Sequence, residues 1–400
     1  MQPCASSTPV SKGPSRLLSL DAFRGFVMLL MASEGLGLSH LAKNCLESPV
    51  LQFLAYQTDH VAWVGCSLWD LIQPSFSFIV GVAVPYSIAN RVAKGDNFSK
   101  LFTHALWRSL LLVLLGVFLR STHHSQTYWT FEDTLSQIGL GYAFLFLLGW
   151  TKSKMQWIAL FGILFLYWLA FALYPLPSPT FDYASVGVPA NWVHLQGFAA
   201  HWDKNTNLAA YFDQWFLNLF SREKGFTYNG GGYLTLSFIP TLGTMICGLL
   251  MGGWIKSDGP AAKKLKYMII AGVVCLVVGQ VLNLTGIAPM VKRIWTPGWV
   301  VFSAGWCCLL TAFFYYTIEM KSYRAWAFPL VVVGMNAIAI YSLVHLIDGF
   351  IAHSFQIHLG PQFFSLFGDA FSAMFRNVTV LAVLWLILFW MYRRKIFLKL

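Results

Sequence analysis

Charge is scarce in this 400-residue chain: Asp, Glu, Lys and Arg make up 11% of it, and the acids number only 16. Soluble globular proteins carry roughly 25% charged residues. Together with 57% hydrophobic and 17% aromatic residues, this deficit excludes a water-soluble enzyme, a disordered chain and a nucleic-acid-binding domain. Cysteine is sparse too. The seven cysteines show no CxxC or similar spacing, so no metal site is expected. Cys247, Cys275, Cys307 and Cys308 read as small apolar helix residues, whereas Cys45 and Cys66 share one side of the membrane and form a candidate disulfide. An internal repeat of the transporter kind is not visible. Residues 1–16 are polar, and no small-residue cleavage site follows them, so the first apolar run is expected to stay as a span.

What the chain has instead is long apolar runs. Those able to cross about 30 Å of hydrocarbon lie near 25–44, 68–90, 104–121, 135–151, 156–174, 234–255, 267–285, 299–319, 328–351 and 377–392. The expected fold is therefore all-α, a polytopic bundle of about ten transmembrane helices by the length rule. With the N-terminus cytoplasmic, the inner segments carry 19 of the 27 Lys and Arg residues. The reverse orientation breaks the positive-inside rule, so both termini are expected in the cytoplasm. The net charge of +11 then reads mostly as an inner-leaflet anchor, as at Lys263, Lys264, Lys266 and Arg393, Arg394, Lys395.

One large segment, 175–233, falls outside the spans on the extracytoplasmic side. Pro175, Pro177 and Pro179 stop the preceding helix, and a helix is expected around 207–220, followed by a turn at Gly230–Gly232. Its aromatics, including Trp192, Trp202, Tyr211 and Trp215, suit either stacking on sugar rings or seating at headgroup level. A second outer segment, 353–376, holds a short amphipathic stretch.

Ionisable residues at membrane depth are functional candidates by default. Asp21 and Arg24 stand three apart at the cytoplasmic entry of the first span. They suit an i,i+3 ion pair or an Arg that grips an arriving phosphate. Glu34 lies further along the same helix and should face a cavity or a basic partner. On the outer side, Asp59 and His60 precede Trp69-Asp70-Leu71-Ile72-Gln73-Pro74, the densest polar cluster near the membrane. A histidine there suits a general base or an acyl-carrying nucleophile, or simply a hydrogen-bonded interfacial residue. Asp70 can orient that ring or cap the helix, and Pro74 suggests a kink lining a cavity. His123 and His124 with Glu132 and Asp133 form a weak metal candidate without ligand spacing. Asn336, between Gly334 and Ala337, suits close helix packing as well as a ligand role, and His345 and Asp348 lie on the same span.

The opening RLLSLDAFRG at 16–25 resembles the start of the transmembrane acyltransferase family that includes lysosomal heparan-α-glucosaminide N-acetyltransferase and its bacterial relatives. His60-Val-Ala-Trp-Val-Gly with Trp69-Asp70-Leu-Ile-Gln-Pro74, then Arg293-Ile-Trp295-Thr-Pro-Gly, then Gly334-Met-Asn336-Ala-Ile-Ala-Ile-Tyr341 are similar to the same family in order, over residues 16 to about 350. The resemblance implies transfer of an acetyl group from cytosolic acetyl-CoA to an amino sugar or related glycan across the membrane. His60 would then be the acetyl carrier or the base, with Asp70 or Asp59 orienting it. It implies CoA phosphates near basic residues on the inner face, with Arg24 (beside Asp21) and Arg108 as candidates and Asn336 as a further binding residue. Residues 1–15 read as a cytoplasmic tail and 16–400 as one transmembrane acyltransferase domain in the cell membrane. Acetyl-CoA, a glycan acceptor and the bilayer are the implied partners, nucleic acid is not, and a homodimer is left open.

Two features depart from the family. An asparagine that usually follows the FRG is missing: the stretch reads Ala32-Ser33-Glu34-Gly35, and Glu34 is the residue available in its place. The extra N-terminal extracytoplasmic domain of the lysosomal members has no counterpart, so heparan sulfate is not fixed as acceptor. The chemistry also requires a passage from the inner face to His60, deeper than the outer headgroups. The rival reading is a transporter or flippase for a lipid-linked or small sugar, separable by its independence of acyl-CoA.

Overall fold

The computed structural model describes residues 17–44 and 48–398. Fourteen α-helices appear among them: α1 (Leu18–Ala32), α2 (Leu38–Asn44), α3 (Pro49–Gln57), α4 (Ile72–Val92), α5 (Phe98–Ser121), α6 (Thr134–Gly149), α7 (Ser153–Ala172), α8 (Leu208–Phe216), α9 (Phe238–Lys256), α10 (Ala261–Leu284), α11 (Pro297–Phe314), α12 (Phe328–Gly334), α13 (Ala337–Leu359) and α14 (Ser372–Arg393). The protein is all-α. Eight of these helical segments are long and apolar enough to cross a membrane, and the bent pair α1–α2 makes a ninth if counted as one span. The remaining expected span, 135–151, is α6, an apolar helix of only 16 residues. At 1.5 Å per residue it covers roughly 24 Å, short of a full hydrocarbon core.

Two spans that look continuous in sequence are broken. After α1 the backbone enters the left-handed region at Glu34 (φ 44°), Gly35 (φ 64°) and Leu36 (φ 52°), and the chain bends by 44°. Glu34 is thus not buried mid-span. It stands exposed at the break, pairing with Arg376 of α14 at 3.4 Å. The run 328–351 is broken likewise, with α12 and α13 separated at Asn336. Pro74 falls in the first turn of α4, where its missing N–H costs nothing, so it opens a helix rather than kinking one.

Backbones meet where glycine allows it. A Cβ on Gly81 of α4 would lie 1.9 Å from the Met245 carbonyl of α9, and one on Gly248 would lie 2.0 Å from the Phe78 carbonyl. The same holds between α1 and α12, where Cβ atoms on Gly25 and Gly334 would fall 1.7 Å and 1.8 Å from carbonyl oxygens of Leu330 and Asp21. Close approach of this kind replaces the hydrophobic effect as the force between helices in lipid. The most apolar windows of α9 and α11 are each 67% buried, whereas that of α10 is 17% buried, so α9 and α11 are central. α10 presents Val273, Val277 and Val281 outward, as a lipid-facing helix does.

The 175–233 segment folds over one end of this bundle. Trp202 is fully buried with Trp63, Phe171 and Ile294, and Trp192 packs at the edge of the same cluster. Tyr211 and Trp215 stay exposed. The helix expected near 207–220 is α8, capped by Asn207, whose side chain accepts from the N–H groups of Ala209 and Ala210. Asp203 ties the segment internally, with His194 Nδ1 at 2.6 Å and Trp192 Nε1 at 3.2 Å.

Candidate active site

The loop 58–71 before α4 is held against the hairpin 285–296 and the end of the large insertion. Gly65 N–H donates to the Met290 carbonyl at 3.0 Å, and Val64 and Val291 form an antiparallel bridge. Arg293 donates to the carbonyls of Gly231 and Val61. Trp295, in the left-handed region at φ 52°, is anchored by its Nε1–H to Thr244 at 3.0 Å. These ties carry Lys292 to a place no sequence spacing indicates.

There, Asp70 is only 2% exposed. Its Oδ1 lies 2.8 Å from His60 Nδ1 and accepts from Lys292 Nζ at 3.2 Å. Its Oδ2 accepts from the N–H groups of Val61 and Ser67, each at 3.2 Å, with the Ser67 hydroxyl at 3.0 Å. Asp59 serves the backbone instead, accepting from His60 N–H at 2.7 Å, so the ring is oriented by Asp70. A carboxylate only accepts, so the short contact puts the proton on Nδ1 and leaves the lone pair on Nε2. Lys292 Nζ also lies 3.1 Å from Nδ1, but with that nitrogen protonated its productive bond is the one to Asp70. Burial pushes the Lys292 ammonium below the usual lysine range, and Asp70 pulls it back up.

His60 lines a cavity of about 390 Å³. Met28 and Met31 of α1 form one wall, Trp69 with Ile72, Gln73 and Phe76 of α4 another, and Tyr341 and His345 of α13 a third; Arg120, Glu132, Asp133, Thr134, Tyr233 and Lys292 complete it. His345 is likewise fixed with its proton on Nδ1, which donates to the Tyr341 carbonyl at 2.8 Å.

Of the catalytic and cofactor-binding candidates, His60 and Asp70 are brought together, whereas Glu34, Asp21, Arg24, Arg108 and Asn336 lie elsewhere. Glu34 faces Arg376, which also binds Asp348 and Asn377. Arg24 bonds to Asp21 at 3.3 Å and reaches the Gly334 carbonyl at 3.5 Å, tying α1 to α12. Asn336 is fully buried, its amide spent on the C-terminal segment: it donates to the Ile396 carbonyl and accepts from Leu398 N–H, both at 3.0 Å. Arg108 lines a separate small cavity of about 70 Å³ with Arg91 and His104, its guanidinium over the Tyr142 ring at 4.6 Å. The lining of the His60 cavity includes neither Arg24 nor Arg108. Glu132 and Asp133 line the His60 cavity, whereas His124 stacks on Tyr128 at 4.1 Å beside another one. Among the described residues no three His, Cys, Asp or Glu side chains converge as a metal site would need. The proposed partner of Cys66, Cys45, lies outside the described residues.

Lys292, Arg120 and Tyr233 are cavity residues that the sequence did not single out, and Glu132 and Asp133 stood out only as part of a weak metal candidate. Lys292 carried a signal of its own: it directly precedes the Arg293-Ile-Trp295 motif.

A polytopic helical membrane protein with a buried Asp70–Lys292 pair holding an exposed histidine at a cavity is the class these features define. The chain is a distant homologue of heparan-α-glucosaminide N-acetyltransferase. It is 21% identical to the mouse protein over 429 aligned positions and 20% identical to the human protein over 427, in each case across 96% of this chain. It spans 60% of the length of these curated relatives. No protein-family model matches it.

Proposed function

We infer that this chain is a membrane acetyltransferase that uses acetyl-CoA and delivers the acetyl group to the amine of an amino sugar or related glycan, with His60 at the reacting centre. The observation that carries the reading is the Nδ1–H···Asp70 contact at 2.8 Å on a histidine lining a roomy cavity. It presents an Nε2 lone pair to that cavity, and both routes need one. In the covalent route Nε2 attacks the thioester carbonyl; in the direct route it takes a proton from the attacking amine. Either way positive charge develops on the ring, and Asp70 stabilises it through Nδ1–H. Lys292 keeps Asp70 ionised by favouring its charged form.

The distant homology to a named N-acetyltransferase supports the chemistry. The concentration of Lys and Arg on the loops opposite the insertion supports a cytoplasmic face there, with His60 toward the extracytoplasmic side of a cell membrane. The reading requires a path that brings the acetyl-CoA arm from the inner face to His60.

The test is acetyl transfer from radiolabelled acetyl-CoA to glucosamine in membranes carrying the wild type or His60→Ala. Transfer by the wild type, reduced about 100-fold or more in the variant, is the expected result. Wild-type protein that moves a sugar and binds no CoA would replace this reading with a transporter.

A further inference from the structure

The His60 cavity has a second wall of titratable groups that the scheme above leaves unused. Glu132 and Asp133 sit in the turn entering α6, and both line the cavity. Asp133 is 3% exposed. Its Oδ1 caps α6, accepting from the N–H groups of Leu135 at 2.9 Å and Ser136 at 3.1 Å. Its Oδ2 is buried without a hydrogen-bond partner. The carboxylate is pressed against α5 at Gly116, where a Cβ would come within 2.5 Å of Oδ1 and 2.7 Å of Oδ2. Among the described residues no cation forms an ion pair with Glu132 or Asp133. Arg120 shares the cavity and acts on both only at longer range.

The lining is therefore unbalanced. Lys292 lines the cavity but is paired with Asp70, which lies outside the lining, so Arg120 alone is left to offset Glu132 and Asp133. An unpaired buried carboxylate is costly, and a cationic ligand offsets that cost.

We propose that Glu132 and Asp133 form the subsite for the acceptor's amino group, binding it as an ammonium and, at Glu132, receiving its proton. The inference rests on the acetyltransferase reading and deepens it. Glu132 takes the first ammonium proton, which frees the nitrogen lone pair. That pair bonds to the acetyl carbonyl carbon. The bond from this carbon to its carrier breaks, with its electrons going to the thioester sulfur or to His60 Nε2. The second N–H proton, lost as the amide forms, goes to His60 Nε2, which in the direct route passes it on to the departing sulfur. Burial pushes the carboxyls of Glu132 and Asp133 above their usual range, which makes a carboxylate there a better proton acceptor than a free one.

The experiment uses full-length protein in detergent micelles, wild type and Glu132→Gln, with thermal unfolding and acetyl-CoA binding as checks on folding. Binding of glucosamine is compared with that of N-acetylglucosamine, its neutral counterpart, and kcat/KM for glucosamine is measured alongside. The expected result is a wild-type preference for the amine that Glu132→Gln abolishes, and a kcat/KM lowered by about 100-fold with acetyl-CoA binding retained. Partial rescue by Glu132→Asp would strengthen it. If the wild type binds both sugars equally, or Glu132→Gln keeps the preference and the rate, the subsite is overturned. Should the wild type prefer the amine but transfer no acetyl group, and the variant lose that preference, the subsite stands while the acetyltransferase reading falls.

Discussion

Replacing Asp70 by Asn probes the cluster most directly, because it removes a charge while keeping the shape. The carboxylate is buried with Lys292 Nζ 3.2 Å from Oδ1. At an effective dielectric of about 20, that separation corresponds to roughly 5 kcal/mol of attraction. Breaking a buried pair from one side typically costs about 3–5 kcal/mol, because the partner's charge is left uncompensated. Asp70→Asn should therefore destabilise the protein by about 3 kcal/mol or more. Lys292→Met should cost less, about 1–3 kcal/mol, since Asp70 keeps His60, Val61 and Ser67 as donors. The double variant should be more stable than Asp70→Asn alone, since no unpaired charge remains. The pH dependence follows from Lys292, whose folded pKa lies below its unfolded value of 10.5 and falls further without Asp70. A lysine so depressed is best tolerated above its unfolded pKa, and stability is lost as pH falls through the folded pKa. The deficit of Asp70→Asn should thus shrink as pH rises toward 10.5. Thermal unfolding of the four proteins in one detergent, at neutral and alkaline pH, gives the cycle. Strictly additive costs, or a deficit that grows with pH, would refute the electrostatic argument.

Glu34→Gln should leave acetyl transfer within about twofold of wild type, since Glu34 pairs with Arg376 away from His60 and an exposed pair contributes little; a loss comparable to that of His60→Ala would place Glu34 in the chemistry after all. Gly248→Leu should prevent stable folding, because its side chain would occupy the space of the Phe78 carbonyl of α4; size-exclusion of detergent extracts would show aggregate in place of a single peak. Asn336→Ala should release the C-terminal segment at a cost of about 1–3 kcal/mol, read as faster removal of a C-terminal tag by carboxypeptidase. Burial raises the Asp213 carboxyl to about 7, above its unfolded value of 3.8. The folded state then holds the proton more tightly, and stability declines as pH rises between these values. Asp213→Asn should flatten that decline and be the more stable protein above pH 7, since an amide oxygen can still accept from Thr235 N–H; unfolding midpoints across the range test it.

Composition and run length made the helices legible because a bilayer selects on both, and little else in a chain of this kind supplies long uncharged stretches. The breaks were harder to see. Gly35 and Gly37 flank Leu36 and permit the left-handed turn, but the bend is held from outside, by Arg376 on Glu34 and by α14 packed against Gly37. At Asn336 the helix is interrupted by a side chain engaged with residues 396 and 398, a contact no local pattern encodes. The His60–Asp70 pair was readable because ten residues and one turn join them. Lys292 was not, since a single lysine between two spans reads as solvated until the hairpin around it is docked.

That asymmetry bears on how the cavity works. The half made by one stretch of chain, residues 58–76, carries the histidine and its orienting acid. The other half is assembled from the ends of α5 and α13, the entry to α6 and the hairpin before α11, and it carries Arg120, Glu132, Asp133, His345 and Lys292. A group that must present an Nε2 lone pair in a fixed direction benefits from a short, locally braced loop, because errors in the packing of distant helices do not reach it. Groups that select a ligand by charge gain from being spread over several helices, because a shift of any one of them changes the balance the ligand meets. Movement of α13 or the end of α5 would then alter ligand binding before it altered the His60–Asp70 contact. Substitutions in their packing faces should accordingly change KM for the acceptor more than the rate at saturation, and the reverse pattern would place the two halves in the opposite roles.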